Sequence, residues 1–126
     1  MFSDLFKAYL AAFNEHDLDR VFSFISPSLQ VYYDGKLVGE NRASTAPNYI
    51  RHWEKLTQPI VLLEEPRELD DDDDDGAYGV QVSLADRDEG STARVKYIYV
   101  QEDGKWVHIR HEIAKKEMLD DMSAKS

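Results

Sequence analysis

Side chains able to move a proton gather near the end of the chain. Asp103-Gly104 is a two-residue hairpin signal. Counting outward from it pairs Glu102 with Lys105, Tyr99 with His108, Tyr97 with Arg110 and Val95 with Glu112. Strict alternation then puts Gln101, Trp106, Tyr99, His108, Tyr97, Arg110 and Glu112 on one face of the ribbon. Val100, Val107, Ile98, Ile109, Lys96 and His111 fall on the other. The first face collects two phenols, an imidazole, a guanidinium and a carboxylate, a set that can do proton chemistry without a cofactor. His108, with an ordinary pKa of about 6.5, is the acid or base. Tyr97 and Tyr99 donate hydrogen bonds to a carbonyl or enolate oxygen. Arg110 stabilises developing negative charge, and Glu112 orients it. The competing reading makes this face solvent-exposed or a dimer interface. Trp106 favours a cavity, because it shares the polar face and calls for burial.

Metal chemistry is not expected. The chain has no cysteine. His108 and His111 are three apart on a strand, so alternation points them to opposite faces. His111-Glu112 begins like a zinc-protease motif, but position 115 is Lys. The run Asp70 to Asp75 can be threaded onto a calcium loop as Asp71, Asp73, Asp75 and Gly76. The glutamate that such a loop requires is Val82 here, and no flanking helices are expected. The run reads as a solvated acidic loop. His52 either reaches a pocket mouth or faces water, and His16 caps or faces water between two helices.

The 126 residues amount to one domain. Hydrophobic residues make up 42% and charged residues 32%, which suits a folded globular chain and argues against wholesale disorder. The net charge of −10 is the wrong sign for nucleic acid or an anionic membrane surface. The six aspartates from Asp70 to Asp75 supply most of it, so it is a local feature. No apolar run approaches the roughly 20 residues of a membrane span. Met1-Phe2-Ser3-Asp4 lacks the basic start of a secretory signal, which makes the cytoplasm the expected compartment.

Phe2, Leu5, Phe6, Tyr9, Leu10 and Phe13 recur at helical spacing and predict an amphipathic helix. A short helix from Asp17 carries Leu18, Val21, Phe22 and Ile25 on one face and ends at Pro27. Leu29 to Tyr33 reads as a strand, Asp34-Gly35 as its turn and Lys36 to Val38 as the return strand. A third helix runs from about Thr45 to Leu56, with Pro47 in its first turn and Tyr49, Ile50, Trp53 and Leu56 as its buried stripe. Strands follow at Ile60 to Leu69, Tyr78 to Leu84, Ala93 to Gln101 and Trp106 to Ile113. Pro66 marks an edge or bulge. Residues 114 to 126 form a polar tail. Helices followed by strands predict an α+β fold with segregated layers, in which a curved sheet wraps the helices.

Ala8 to Val21, with its polar break Asn14-Glu15-His16 before Asp17-Leu18-Asp19, resembles the opening of SnoaL-like, nuclear-transport-factor-2-like domains. Leu29 to Gly39 with Glu40-Asn41-Arg42 resembles their first hairpin and the lead-in to the third helix. Glu102 to His111 resembles their last hairpin, where glycine, lysine and tryptophan precede a strand carrying histidines. The resemblance covers about residues 5 to 113. It implies a cystatin-like cone: three N-terminal helices packed in a strongly curved antiparallel or mixed sheet around a cavity. Residues 1–113 would then be one domain. It further implies cofactor-independent isomerase, cyclase or dehydratase chemistry on a small apolar molecule. A homodimer is the expected assembly, because one face of the sheet must be covered. The alternative is a non-catalytic dimeric binding or assembly module of the same fold. The Tyr-Asp pair of scytalone dehydratases is replaced here by Phe13 and Asn14, and the strand from Ile60 to Leu69 lacks that family's histidines, which argues against that one activity. The expected ligand contacts are Phe13, Asn14, Tyr33, Tyr49, Trp53 and Trp106.

Overall fold

A computed structural model describes residues 2–73 and 77–118 of the chain. Helix α1 (Phe2–Asn14) buries Phe2, Phe6, Tyr9, Ala12 and Phe13, the face its periodicity predicts. Phe6 is sealed from solvent, a burial that stabilises by roughly 1.5–3 kcal/mol. The helix ends where His16 takes a positive φ of 58°. Asp17 N–H then reaches back to the Ala12 carbonyl and His16 N–H to that of Phe13, a left-handed cap that satisfies two terminal carbonyls. Asp17 at once caps helix α2 (Leu18–Ser23) by accepting from Arg20 N–H at 3.2 Å.

Helix α2 is shorter than predicted. Ile25, assigned to its buried face, instead opens strand β1 (Ile25–Tyr33), where it lies opposite His108 of strand β7 (Lys105–Ile113). The His108 N–H donates to Phe24 O at 2.8 Å and closes that junction. Asp34 and Gly35 turn β1 into β2 (Lys36–Glu40) with φ values of 51° and 82°, as a type I′ turn requires.

Helix α3 (Arg42–Lys55) starts earlier than predicted, because Asn41 caps it by accepting from Ser44 N–H at 2.9 Å. Pro47 therefore lies in the second turn, not the first. Ile50, predicted to be buried, is 46% exposed, whereas Tyr49, Trp53 and Leu56 do face inward. Arg42 ties the helix to the layer below by donating to Phe22 O at 3.2 Å and Ile25 O at 3.1 Å.

The remaining strands are β3 (Val61–Leu62), β4 (Arg67–Asp73), β5 (Ala77–Asp86), β6 (Ser91–Glu102) and β8 (Glu117–Met118). The single strand predicted over Ile60 to Leu69 is split into β3 and β4 around Pro66, which has no N–H to offer a ladder. Asp70 to Asp73 belong to β4 rather than to a loop: the register with β5 is irregular after Leu69 and resumes where Asp73 meets Ala77. The rest of the predicted acidic loop and the end of the tail lie outside the described residues.

The strands form one curved, unclosed sheet in the order β2-β1-β7-β6-β5-β3, with β4 also on β5 and β8 on β6. It is mixed: β1 and β7 run parallel and the other pairs antiparallel. The helices pack on its concave face, so the α+β cone expected from the sequence is the fold observed. Among the described residues, no helix is long and apolar enough to cross a membrane.

Asn14, expected at a ligand, instead ties the end of α1 to the start of the sheet. Its Nδ2 donates to Ile60 O at 3.1 Å and its Oδ1 accepts from Ile60 N–H at 2.9 Å. Asn14→Ala leaves both backbone groups of Ile60 unpaired. It should cost about 1–3 kcal/mol, read as a lower urea midpoint at an unchanged slope.

Candidate functional site

One irregularity decides which side chains face the cone. In the β6–β7 ladder Tyr99 lies opposite His108, as the turn predicts, but Ile98 lies opposite Arg110. Ile109 is an extra residue, a β-bulge, and it shifts the alternation of everything beyond it. Tyr97 therefore faces His111 and Val95 faces Ile113, not Arg110 and Glu112.

The predicted polar face is split by this shift. His111 turns inward, where it is 6% exposed, and Arg110 and Glu112 turn outward. Those two pair with each other at 3.2 Å on the outer surface, with Arg110 lying over the Tyr32 ring. They do not join Tyr97, Tyr99 and His108. The same shift brings the two histidines together. His108 Nδ1 and His111 Nε2, expected on opposite faces, lie 3.0 Å apart on the same one.

A cavity of about 980 Å³ opens between the helices and the concave face of the sheet. This is the upper part of the usual range for small-molecule sites. Leu10, Phe13, Leu29, Val31, Leu84 and Val95 supply apolar wall. Tyr9, Tyr49, Tyr97 and His111 supply polar atoms deeper in. The Tyr9 and Tyr49 hydroxyls share a hydrogen bond of 2.8 Å. The charged residues of the lining sit where solvent reaches them. His52 meets Asp86 at 3.1 Å, Lys116 meets Glu89 at 2.7 Å, and Asp88 accepts from the backbone of Thr57 and Gln58.

Of the expected contacts, Phe13, Tyr33 and Tyr49 line this cavity and Trp53 and Trp106 do not. Trp53 is buried behind Phe13 and Tyr49, with His16 stacked on its ring at 5.3 Å. Trp106 packs edge-on against Phe2 at 5.0 Å and Tyr78 at 5.5 Å. Tyr99 is sealed beside Phe2 and His108, and its hydroxyl has no partner among the described residues. His108 lies beneath the lining, fully buried, with His111 between it and the cavity.

The sequence reading passed over Tyr9 and His111. Tyr9 sat in a helical apolar stripe, and only its hydroxyl hinted that one end needed a polar partner. His111 was assigned by alternation to the wrong face, and nothing in residues 105 to 113 announces the extra residue.

Burial sets the charge state of this floor. It pushes His111 down to about 3 and His108 well below the usual histidine range, with the His111 ring adding to the effect on His108. It pushes Tyr49 up to about 12, and the phenols of Tyr9, Tyr97 and Tyr99 also rise. At neutral pH these groups are uncharged. The floor therefore offers hydrogen bonds without charge, and the rim carries the charge.

No family model matches the chain, and no curated protein does. Solved structures do match its fold. An uncharacterised protein with a cystatin-like fold from Caulobacter vibrioides aligns at TM-score 0.71 and 14% identity, over 98% of this chain and 92% of that one. An NTF2-like protein of unknown function from Pseudomonas putida aligns at 0.67 and 13% identity, over 88% of this chain and 81% of that one. An NTF2-like protein from Cytophaga hutchinsonii aligns at 0.65 and 17% identity, over 88% and 92%. The chain has the cystatin-like, NTF2-like fold, and at these identities the likeness is one of fold.

The buried imidazole pair has a consequence for stability. Unfolded, both rings take up a proton as pH falls through about 6.5, whereas folded they stay neutral to much lower pH. Their contribution is complete above that pH and is lost below it, on the order of 1 kcal/mol per pH unit for each ring. The urea midpoint should fall between pH 7 and pH 5. His111→Phe should remove roughly half of that fall. An unchanged dependence in His111→Phe would show that the pair is not its source.

Proposed function

We propose that the cone binds a small, uncharged, largely apolar organic molecule. The observation that carries this reading is the cavity itself: about 980 Å³, walled by aliphatic and aromatic side chains, with phenols and an imidazole at depth. A buried charged group on the ligand would meet no opposite charge at the floor, which makes an ionic ligand costly. A neutral one places its apolar body against the wall and a single oxygen among the phenols.

A second reading, cofactor-independent isomerisation, cyclisation or dehydration, is favoured by one feature. His111 and the Tyr9, Tyr49 and Tyr97 phenols line the same cavity, so proton acceptor and donors meet one ligand. In this reading His111, rather than His108, takes the role of the base, because His108 does not reach the cavity. Arg110 and Glu112 take no part. The assembly-module alternative finds less support. The outer face of the sheet sets Gln30, Tyr32, Lys96, Arg110 and Glu112 around Ile98, a mostly polar surface rather than a broad apolar one.

The test is titration with N-phenyl-α-naphthylamine, an uncharged aromatic probe whose fluorescence rises in apolar surroundings. Saturable binding at one probe per chain, in the micromolar range, is expected. Ala93→Trp fills the cavity from the β6 wall and should weaken binding by about tenfold or more while the chain stays folded. Binding that never saturates, or that Ala93→Trp leaves unchanged, would sink the reading.

A further inference from the structure

The buried histidine pair leaves the position of one hydrogen to be decided. Burial keeps both rings neutral, so a single N–H lies between His108 Nδ1 and His111 Nε2. The other nitrogen of each ring has a different fate. His108 Nε2 is sealed, with no hydrogen-bond partner among the described residues. The His108 ring is enclosed by those of Tyr99 at 4.6 Å, Tyr9 at 4.8 Å and Tyr97 at 5.0 Å. His111 lines the cavity, and its Nδ1 is not among the buried polar atoms that lack a partner.

Two arrangements are available. If His108 donates, its Nε2 is a bare lone pair shut in among electron-rich phenol rings, and nothing meets it. If His111 donates, His108 Nε2 carries a hydrogen. An N–H against an aromatic face keeps a weak attraction where a lone pair is repelled. His108 Nε2 lacks a hydrogen-bond partner either way, and only as an N–H does it gain from the surrounding rings, so the second arrangement wins. It leaves His111 Nδ1 without a hydrogen, open to the cavity.

We propose that His108 is a positioning residue that accepts the Nε2–H of His111, so that the bare Nδ1 of His111 receives a hydroxyl group of a largely apolar ligand. This rests on the small-molecule reading above and narrows it to a chemical class. The Tyr9–Tyr49 pair supplies the opposite polarity nearby. Tyr97 joins them through Tyr9, and of the three O–H groups in this hydrogen-bonded chain two are used between the phenols and one is left to donate to a ligand oxygen. His108 touches no ligand and acts only through the ring it orients.

The first measurement is nitrogen NMR of histidine-labelled protein at about pH 7.5, where free histidine is mostly neutral. His111 should show a bare Nδ1 and a protonated Nε2, and His108 a protonated Nε2. A protonated His111 Nδ1 overturns the proposal. The second compares β-naphthol with β-naphthyl methyl ether, which share an apolar body but differ in the hydroxyl hydrogen. β-Naphthol should bind about tenfold tighter and shift the His111 Nδ1 resonance. Equal affinity overturns the hydroxyl assignment while leaving small-molecule binding intact. If neither binds, the occupant and the reading beneath it both fail, and the nitrogen spectra still decide the tautomer. His108→Gln keeps an acceptor oxygen near the same place and should hold the tautomer and the naphthol preference. His108→Leu should give a mixture of tautomers, with the preference reduced to about twofold. Loss of the tautomer in His108→Gln, or its retention in His108→Leu, counts against the positioning role. If the leucine variant does not fold, the wild-type and glutamine spectra still test it.

Discussion

The extra residue in β7 is the constraint on which the interior of this protein depends. Were Ile109 paired like its neighbours instead of bulged, strict alternation would carry His111 to the outer surface, and Arg110 and Glu112 would enter the cone. Two ionic side chains would then lie where the structure has an imidazole, a buried arrangement that is hard to satisfy. With it, the pair of charges reaches solvent and stacks on Tyr32, and the two histidines meet. A bulge next to a cavity that re-aims a side chain is a recurring use of this irregularity.

Everything deeper follows from what that shift allows. His108 is locked between the Phe24 carbonyl on its backbone and three phenol rings around its side chain. His111 is held by His108. Tyr9 reaches across from α1 to Tyr49 of α3 and so links the two helices that roof the cavity. Low dielectric keeps each of these groups neutral, and neutrality makes the hydrogen bonds between them selective for uncharged polar atoms. The charged side chains of the lining stay at the rim, where acids and bases balance and water screens them.

Much of this could be read from residue order. The helical stripe from Phe2 to Phe13 and the two Asp-Gly turns rest on local physics, and they appear where their spacing puts them. So does the alternation of β5. The order of helices and strands, with three motifs in sequence, was enough for the cone. Misreadings arose wherever a distant partner overruled the local preference. Ile25 is helical by periodicity, yet a strand by its pairing with β7. Asn14 looked like a cavity residue, yet its amide is consumed by Ile60. Ile50 passed for part of the α3 stripe, but the tertiary contacts fall on the face of Tyr49, Trp53 and Leu56, and the Ile50 side chain faces solvent.

By itself the sequence determined the fold class and the kinds of group available to the site: phenols and imidazoles from the last hairpin, with no thiol. It determined these because hydrophobic period, turn chemistry and composition act over a few residues. Which of those groups face the cavity was decided only in the folded sheet. A bulge costs little locally and leaves no mark in residue types, but it reverses every side chain beyond it, and its place is set by how β7 must pair with β6 on one side and β1 on the other.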